Sequence, residues 1–174
     1  IRSASSSTGA HLMVYAIAGD GTHDQTGYGV SHARGPRGLS VDDAVRDAIV
    51  KSTRMLGAIK PPSMKTTVVF DQKTTAMLLS IVGGALSGEE VTKGRSFFAN
   101  RLGHSVASPL ITLVDDPTDP RHYGSTSHDG EGLATRRNEL IREGVLETFV
   151  YDTVSARRAG VTSTGSARRG GLAG

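Results

Sequence analysis

The sequence contains no cysteine and no tryptophan, and only four tyrosines and four phenylalanines among 174 residues. Without cysteine there is no disulfide, no thiolate nucleophile and no cysteine-ligated zinc within these residues, a usage that suits the cytoplasm. With so few aromatics, a core has to be assembled from Val, Ile, Leu and Ala, and at 37% apolar residues it is a modest one. Long apolar runs are missing too. The best, residues 76–79 and 81–86, is broken by Ser80 and holds Gly83-Gly84, well short of the roughly 18 residues that span a bilayer. No cationic segment followed by an apolar stretch opens the chain, so no signal peptide is read. The start at Ile1 rather than Met predicts that the native N-terminus lies upstream.

Glycine, by contrast, is abundant at 22 residues, gathered in turns and toward the C-terminal end. The formal net charge is +3 and the pI about 9.4. Apart from Arg136-Arg137, Arg157-Arg158 and Arg168-Arg169, the basic residues are scattered, and aromatics do not alternate with them as single-strand binders require. Nucleic-acid binding is therefore not expected.

Residues 1–10 are small and polar and predict a loop or an entry strand. Residues 11–18 (HLMVYAIA) predict a strand, Gly19-Asp20-Gly21 a turn, and residues 26–33 an antiparallel return. Ser40 with Asp43 predicts a capping box, and Val41, Val45, Ala48, Ile49 and Leu56 fall on one face of the helix that follows, with Gly57 as its stop. Residues 60–63, with Pro61-Pro62, read as a stiff linker and a domain boundary. Beyond it, residues 66–70 (TTVVF) predict a buried strand and residues 73–86 a helix. Residues 89–102 predict a partly helical stretch and 109–114 a further strand. Residues 118–132 form a long loop, residues 138–151 a hairpin turning at Arg142-Glu143-Gly144, and 153–159 a short helix. The tail from Ser163 shows no hydrophobic period and predicts no packing within these residues.

Few residues suggest chemistry by themselves. His122, His128, Asp129 and Glu131 share the long loop but match no zinc spacing. Asp115, Asp116 and Asp119 lack the ladder of a calcium loop. His11, His23, His32 and His104 are isolated along the chain, no serine sits in G-x-S-x-G, and the glycine pairs make no phosphate loop.

Four motifs say more when taken together. Residues 124–136 (GSTSHDGEGLATR) carry an acidic D-x-E-G loop, and residues 140–146 (LIREGVL) a hairpin core. Residues 155–160 (SARRAG) and 163–165 (STG) follow in order. This arrangement resembles the TldD/PmbA family of metallopeptidases, and the likeness runs back through residues 66–116 and the helix after Ser40. The resemblance implies an α+β chain. Residues 1–60 would be the end of an N-terminal α/β domain, and residues 61–174 the first part of a β-rich, barrel-like C-terminal domain, as a middle section of a longer protein. One kind of family subunit carries H-E-x-x-x-H on a helix, with two His on zinc and Glu on its water. Matching residues 82–88 to that helix puts Leu79, Ser80 and Gly84 where His, Glu and His would stand. The resemblance is then to the PmbA (TldE) kind, which implies no catalytic residue and no metal in this chain. It further implies a TldD-type partner that holds the zinc, in a cytoplasmic heterodimer degrading unfolded peptide. Asp129, Glu131, Gly132 and Arg136 become the candidates for substrate contact or assembly, with Arg136 as a partner for the two acids. The family's other label, modulator of DNA gyrase, implies a regulatory binding protein instead. The Gly83-Gly84 pair suggests either a close backbone contact or a kink.

Overall fold

The structure, a computed structural model, describes residue 6, residues 8–122 and residues 124–168. It is α+β, and the described residues divide into two compact units, one up to Thr67 and one from Val68 onward. The Pro61-Pro62 stretch lies on the N-terminal side of that division.

The first unit is a hairpin covered by one helix. Strands β1 (Ala10–Ala18) and β2 (Gln25–Ala33) pair antiparallel in continuous register from Ala10↔Ala33 to Ala18↔Gln25. They are joined by a loop longer than the expected Gly-Asp-Gly turn. Asp20 Oδ1 accepts from the amides of Thr22 and His23 at 2.8 and 3.0 Å, and Asp24 Oδ1 accepts from Gly21 at 2.8 Å. Helix α1 (Val41–Arg54) starts at Ser40, whose hydroxyl accepts from the Asp43 amide and donates to the Asp43 carboxylate at 2.6 Å. The capping box is half made, because the Ser40 amide donates to Ser31 Oγ.

The buried face of α1 differs from the expected one. Ala44, Ala48 and Ser52 are 1%, 0% and 1% exposed, whereas Val41 and Ile49 stand 53% and 50% exposed, with Val45 and Leu56 also out. The sheet explains the rotation. Gly27 and Gly29 face the helix so closely that a Cβ on Gly29 would lie 1.9 Å from the Ala44 carbonyl oxygen, and one on Gly27 2.2 Å from that of Ala48. At such an approach only Ala and Ser fit, so shape overrides the hydrophobic pattern.

The second unit is built around a three-stranded antiparallel sheet in the order β3-β4-β5. Its strands are β3 (Leu113–Asp115), β4 (Asn138–Arg142) and β5 (Val145–Leu146), with an irregularity between Leu113 and Val114. The β4–β5 turn uses Glu143 and Gly144 with φ of 48° and 83°, both positive as a tight hairpin of this hand requires. Helix α2 (Gln72–Ala85) is capped by Asp71, which accepts from Thr74 N at 2.8 Å. Its end is tied to the arm after β5, since Val150 N donates to Leu86 O at 3.0 Å and Gly88 N to Val150 O at 2.7 Å. Leu86, Phe98, Leu140, Ile141, Leu146, Phe149, Tyr151 and Ala156 form the core. Leu86 and Leu146 are wholly buried, each worth about 1.5–3 kcal/mol relative to exposure. Helices α3 (Gly88–Thr92) and α4 (Thr153–Ala159) complete the unit.

Several expected elements are shorter or absent. Residues 66–70 form no strand, and Val69 is 91% exposed, for no strand among the described residues pairs with them. Pro109 and Leu110 form a turn, closed by Ile111 N donating to Ser108 O at 2.9 Å, so the expected strand over 109–114 begins only at Leu113, and residues 89–102 are helical only to Thr92. Residues 163–167 are packed where no packing was expected, while residues 169–174 of the tail and most of the entry segment lie outside the described residues.

The glycine seam gives a direct test. Gly29→Ala should destabilise the chain by about 1–3 kcal/mol in urea unfolding, as overpacking does. Gly35→Ala, where an added Cβ meets nothing within 4 Å, should change stability by less than about 0.5 kcal/mol.

Candidate functional site

The second unit holds a cleft of about 560 Å³. Helix α2 offers Leu79, Ser80, Gly83 and Gly84 to it, and β3 offers Leu113, Val114 and Asp115. Glu89, Asp152, Ser155 and the stretch Ser166 to Arg168 add polar groups to its lining. A Cβ on Gly83 or Gly84 would meet nothing within 4 Å, so the close backbone contact suggested for this pair is not made within the described chain. The glycines widen the cleft instead.

The carboxylates of the cleft and the Ser80 hydroxyl are occupied. Ser80 Oγ donates to Met77 O at 2.7 Å. Asp115 Oδ2 accepts from Asn138 Nδ2 at 3.3 Å and Ser166 Oγ at 3.2 Å. Glu89 pairs with Lys93, which holds its carboxyl below the usual range. Asp152 caps α4 in a capping box with Ser155, whose hydroxyl and amide lie 2.5 and 2.6 Å from Asp152 Oδ1 and lower its pKa. This donor set does not fit a zinc ion. Leu79 and Gly84 carry no ligand atom, Ser80 offers only an engaged hydroxyl, and among the described residues no three His, Cys, Asp or Glu side chains gather around a point.

The long loop holds segments beside this cleft through its acids. Asp129 Oδ1 accepts from the amides of Glu131 and Leu133, both at 2.9 Å, and its Oδ2 from Ala167 N at 3.1 Å. Glu131 Oε2 accepts from Thr153 N at 2.9 Å and Thr153 Oγ1 at 2.5 Å, at the first turn of α4. Gly132, which follows Glu131 with φ of 81°, closes the turn by donating its amide to Asp129 O at 3.1 Å. Arg136 does not pair with these acids. It donates from Nε to Thr164 O at 3.1 Å and from Nη2 to Ser163 O, because the two carboxylates are already turned onto amides. His122 lies 3.5 Å from Asp119, and His128 meets the neighbouring Ser127 hydroxyl at 3.0 Å, so neither joins the acids.

The sequence reading missed Asn138 and Tyr151. Buried Asn138 offers Nδ2 to Asp115, Arg136 O, Thr164 O and Ser166 Oγ. The Tyr151 backbone accepts from Ser163 Oγ and Thr164 Oγ1, both at 3.1 Å, and its amide donates to Thr164 Oγ1 at 2.7 Å. Asn138, polar but opening a strand, was the available signal for the first. Nothing in the pattern pointed to the second, since a backbone acceptor has no residue type.

Three of the four motifs thus act together as one fastening. The acidic loop and Arg136 hold residues 163–167, Ser155 completes the capping box of α4 and Gly160 ends that helix, and the Ser-Thr-Gly turn clasps Tyr151. Residues 63–174 match the model of the PmbA/TldA metallopeptidase C-terminal domain. The chain belongs to this family. Among curated relatives, a metalloprotease TldD homolog of Haemophilus influenzae is 37% identical over 132 residues, covering 75% of this chain and 27% of the relative. A metalloprotease PmbA homolog of Buchnera aphidicola is 27% identical over 151 residues, covering 86% and 34%. Among solved structures, TldE from Thermococcus kodakarensis superposes with a TM-score of 0.79 at 27% identity, over 95% of this chain and 38% of that one. A candidate modulator of DNA gyrase from Thermotoga maritima gives 0.86 at 30% identity, over 94% and 38%. The chain therefore spans between about a quarter and two fifths of the length of these TldD/PmbA relatives. Among the described residues no helix is long and apolar enough to cross a membrane.

Two predictions follow from this geometry. Asp129→Ala should speed hydrogen exchange at the amides of Glu131, Leu133 and Ala167, and Glu131→Ala that of Thr153. Together they should lower stability by about 1.5–3 kcal/mol, the scale of hydrogen bonds to charged groups. Unchanged exchange at Ala167 in the first variant would show that the loop does not hold the 163–167 segment.

The second concerns acid. Ser155 on Asp152, Thr118 on Asp116, and Arg137 with Arg142 on Glu139 all lower the folded-state pKa. The stability they contribute is complete above the ordinary carboxylate range and is lost as pH falls through the lower folded values. The melting temperature should be flat between about pH 7 and 5 and drop below about pH 4. Asp152→Asn, which keeps a capping oxygen but cannot titrate, should drop less steeply from its own starting value.

Proposed function

We propose that this chain is part of a non-catalytic subunit of a TldD/PmbA-type zinc metallopeptidase that acts on unfolded peptide. The observation that carries this reading is the wall of the cleft. Leu79, Ser80 and Gly84, which the family resemblance places at the positions of H-E-x-x-x-H, line the 560 Å³ cleft, and they offer no zinc ligand beyond a hydroxyl already bonded to Met77 O. In this proposal the zinc and the activated water belong to a TldD-type partner, and this subunit contributes a wall of the chamber. Asp129, Glu131, Gly132 and Arg136 hold that wall in shape and do not touch the peptide. The cleft's mixture of Leu and Val side chains with carboxylates suits an extended peptide of varied sequence.

A second reading has one observation behind it. The Thermotoga maritima structure is described as a candidate modulator of DNA gyrase, which would make this chain a regulatory binding protein.

The test is co-expression of the full-length protein with a partner carrying H-E-x-x-x-H. We expect the two to co-purify, with zinc in proportion to the partner and peptide cleavage only in the complex. Asp129→Ala with Glu131→Ala should weaken assembly or turnover at unchanged partner zinc. Tight one-to-one zinc in this protein alone, surviving dialysis, would overturn the proposal. Altered gyrase supercoiling with no partner recovered would favour the second reading.

A further inference from the structure

His11 and His32 stand 21 residues apart in sequence, yet the β1–β2 register sets them directly opposite each other. Both are exposed. They alternate with the residues that meet α1, so they lie on the other face of the hairpin, in line with Met13 and Tyr15 on β1 and Val30 and Tyr28 on β2. Their ring centroids are 4.6 Å apart with the planes tilted by 41°.

That separation matches a chelate. An imidazole nitrogen binds a transition ion at about 2.0–2.1 Å, which puts the ion about 3.2 Å from the ring centre. Two rings on neighbouring corners of a square-based site then have centroids about 4.5 Å apart, and two on a tetrahedron about 5.2 Å. The observed centroid separation of 4.6 Å lies nearer the square-based value. The opposed strand positions hold the two rings together before any ion arrives, so little ordering entropy is lost on binding. Each ring uses one nitrogen for the ion and keeps the other for a hydrogen bond. The terminal imidazole torsion is broad enough to aim the nitrogens.

We propose that His11 and His32 form a two-point site for a divalent transition ion that favours tetragonal nitrogen ligation, of the Cu²⁺ and Ni²⁺ class, with water at the remaining positions. The ion joins β1 to β2 across the face that α1 leaves open. The site lies in the first unit and is independent of the cleft, so it stands or falls apart from the proposed peptidase role.

Titration of the full chain with Cu²⁺, followed by calorimetry and electron paramagnetic resonance, tests it. We expect one ion per chain, with a spectrum showing two imidazole nitrogens. His11→Ala and His32→Ala should each weaken binding at least tenfold, and each variant's fold is checked by circular dichroism. His104→Ala, whose exposed ring lies elsewhere in the chain, should bind as the parent does. As a second measurement, Cu²⁺ should raise the melting temperature of the parent but not of the double variant. Binding that is equally tight in His11→Ala and His32→Ala, a one-nitrogen spectrum, or several equivalent weak ions per chain would overturn the proposal.

Discussion

Residues 163–167 bring no large apolar side chain to the core, so their course depends on hydrogen bonds donated and accepted across the fold. Asp129 takes the amide of Ala167, Arg136 takes the carbonyls of Ser163 and Thr164, and the Tyr151 backbone is clasped by the hydroxyls of Ser163 and Thr164. These ties run from a side chain to a main-chain atom, and main-chain bonds from Gly130 N to Ala167 O and from Thr164 N to Tyr151 O add to them. The cleft owes one of its walls to this arrangement, since Ser166, Ala167 and Arg168 line it only while the segment is held. A second, smaller hollow of about 250 Å³ shares the same three residues and Asp115 on its other side, so one short stretch of chain is the partition between two cavities.

This dependence gives the family motifs a physical meaning. The acidic loop supplies carboxylate acceptors for the amides of Ala167 and Thr153, the Ser-Ala-Arg segment supplies a short helix with both ends satisfied, and the Ser-Thr-Gly turn supplies hydroxyls that donate to Tyr151 O and carbonyls that accept from Arg136. Gly165, with φ of 68°, brings the backbone against Ala134, where an added Cβ would lie 2.5 Å from the carbonyl oxygen. Side chains that bind backbone cannot easily be exchanged for others of similar polarity, because the geometry of the amide is fixed while that of a side-chain partner could adapt. A small core, poor in aromatics, leaves more of the fold's definition to such bonds.

Local chemistry was the legible part of the sequence. The hairpin at Glu143-Gly144, the helix capped by Asp152, and the start of α1 at Ser40 were visible because each is decided within a few residues. What could not be read depended on distant partners. The hydrophobic pattern put Val41, Val45 and Ile49 of α1 inward, yet the opposing strand is glycine at the contact and admits only Ala44, Ala48 and Ser52. Residues 66–70 carry every local mark of a strand, but a strand is a property of a pair, and no described segment pairs with them. Arg136 was matched to the nearest acids by charge, whereas the acids had already been turned onto amides. His11 and His32 looked isolated for the same reason: only strand register joins them.

The contact between α1 and β2 also limits how this unit can drift over generations. Glycine is the smallest residue, so no exchange at Gly27 or Gly29 removes atoms; every one adds them. The atoms they would strike belong mainly to the helix backbone around Ala44 and Ala48, which no replacement on the helix can trim. A compensating second change therefore has no small remedy available to it. The whole helix would have to lift, and with it the loops at both of its ends, which leaves the two glycines with no neighbouring sequence to wander toward.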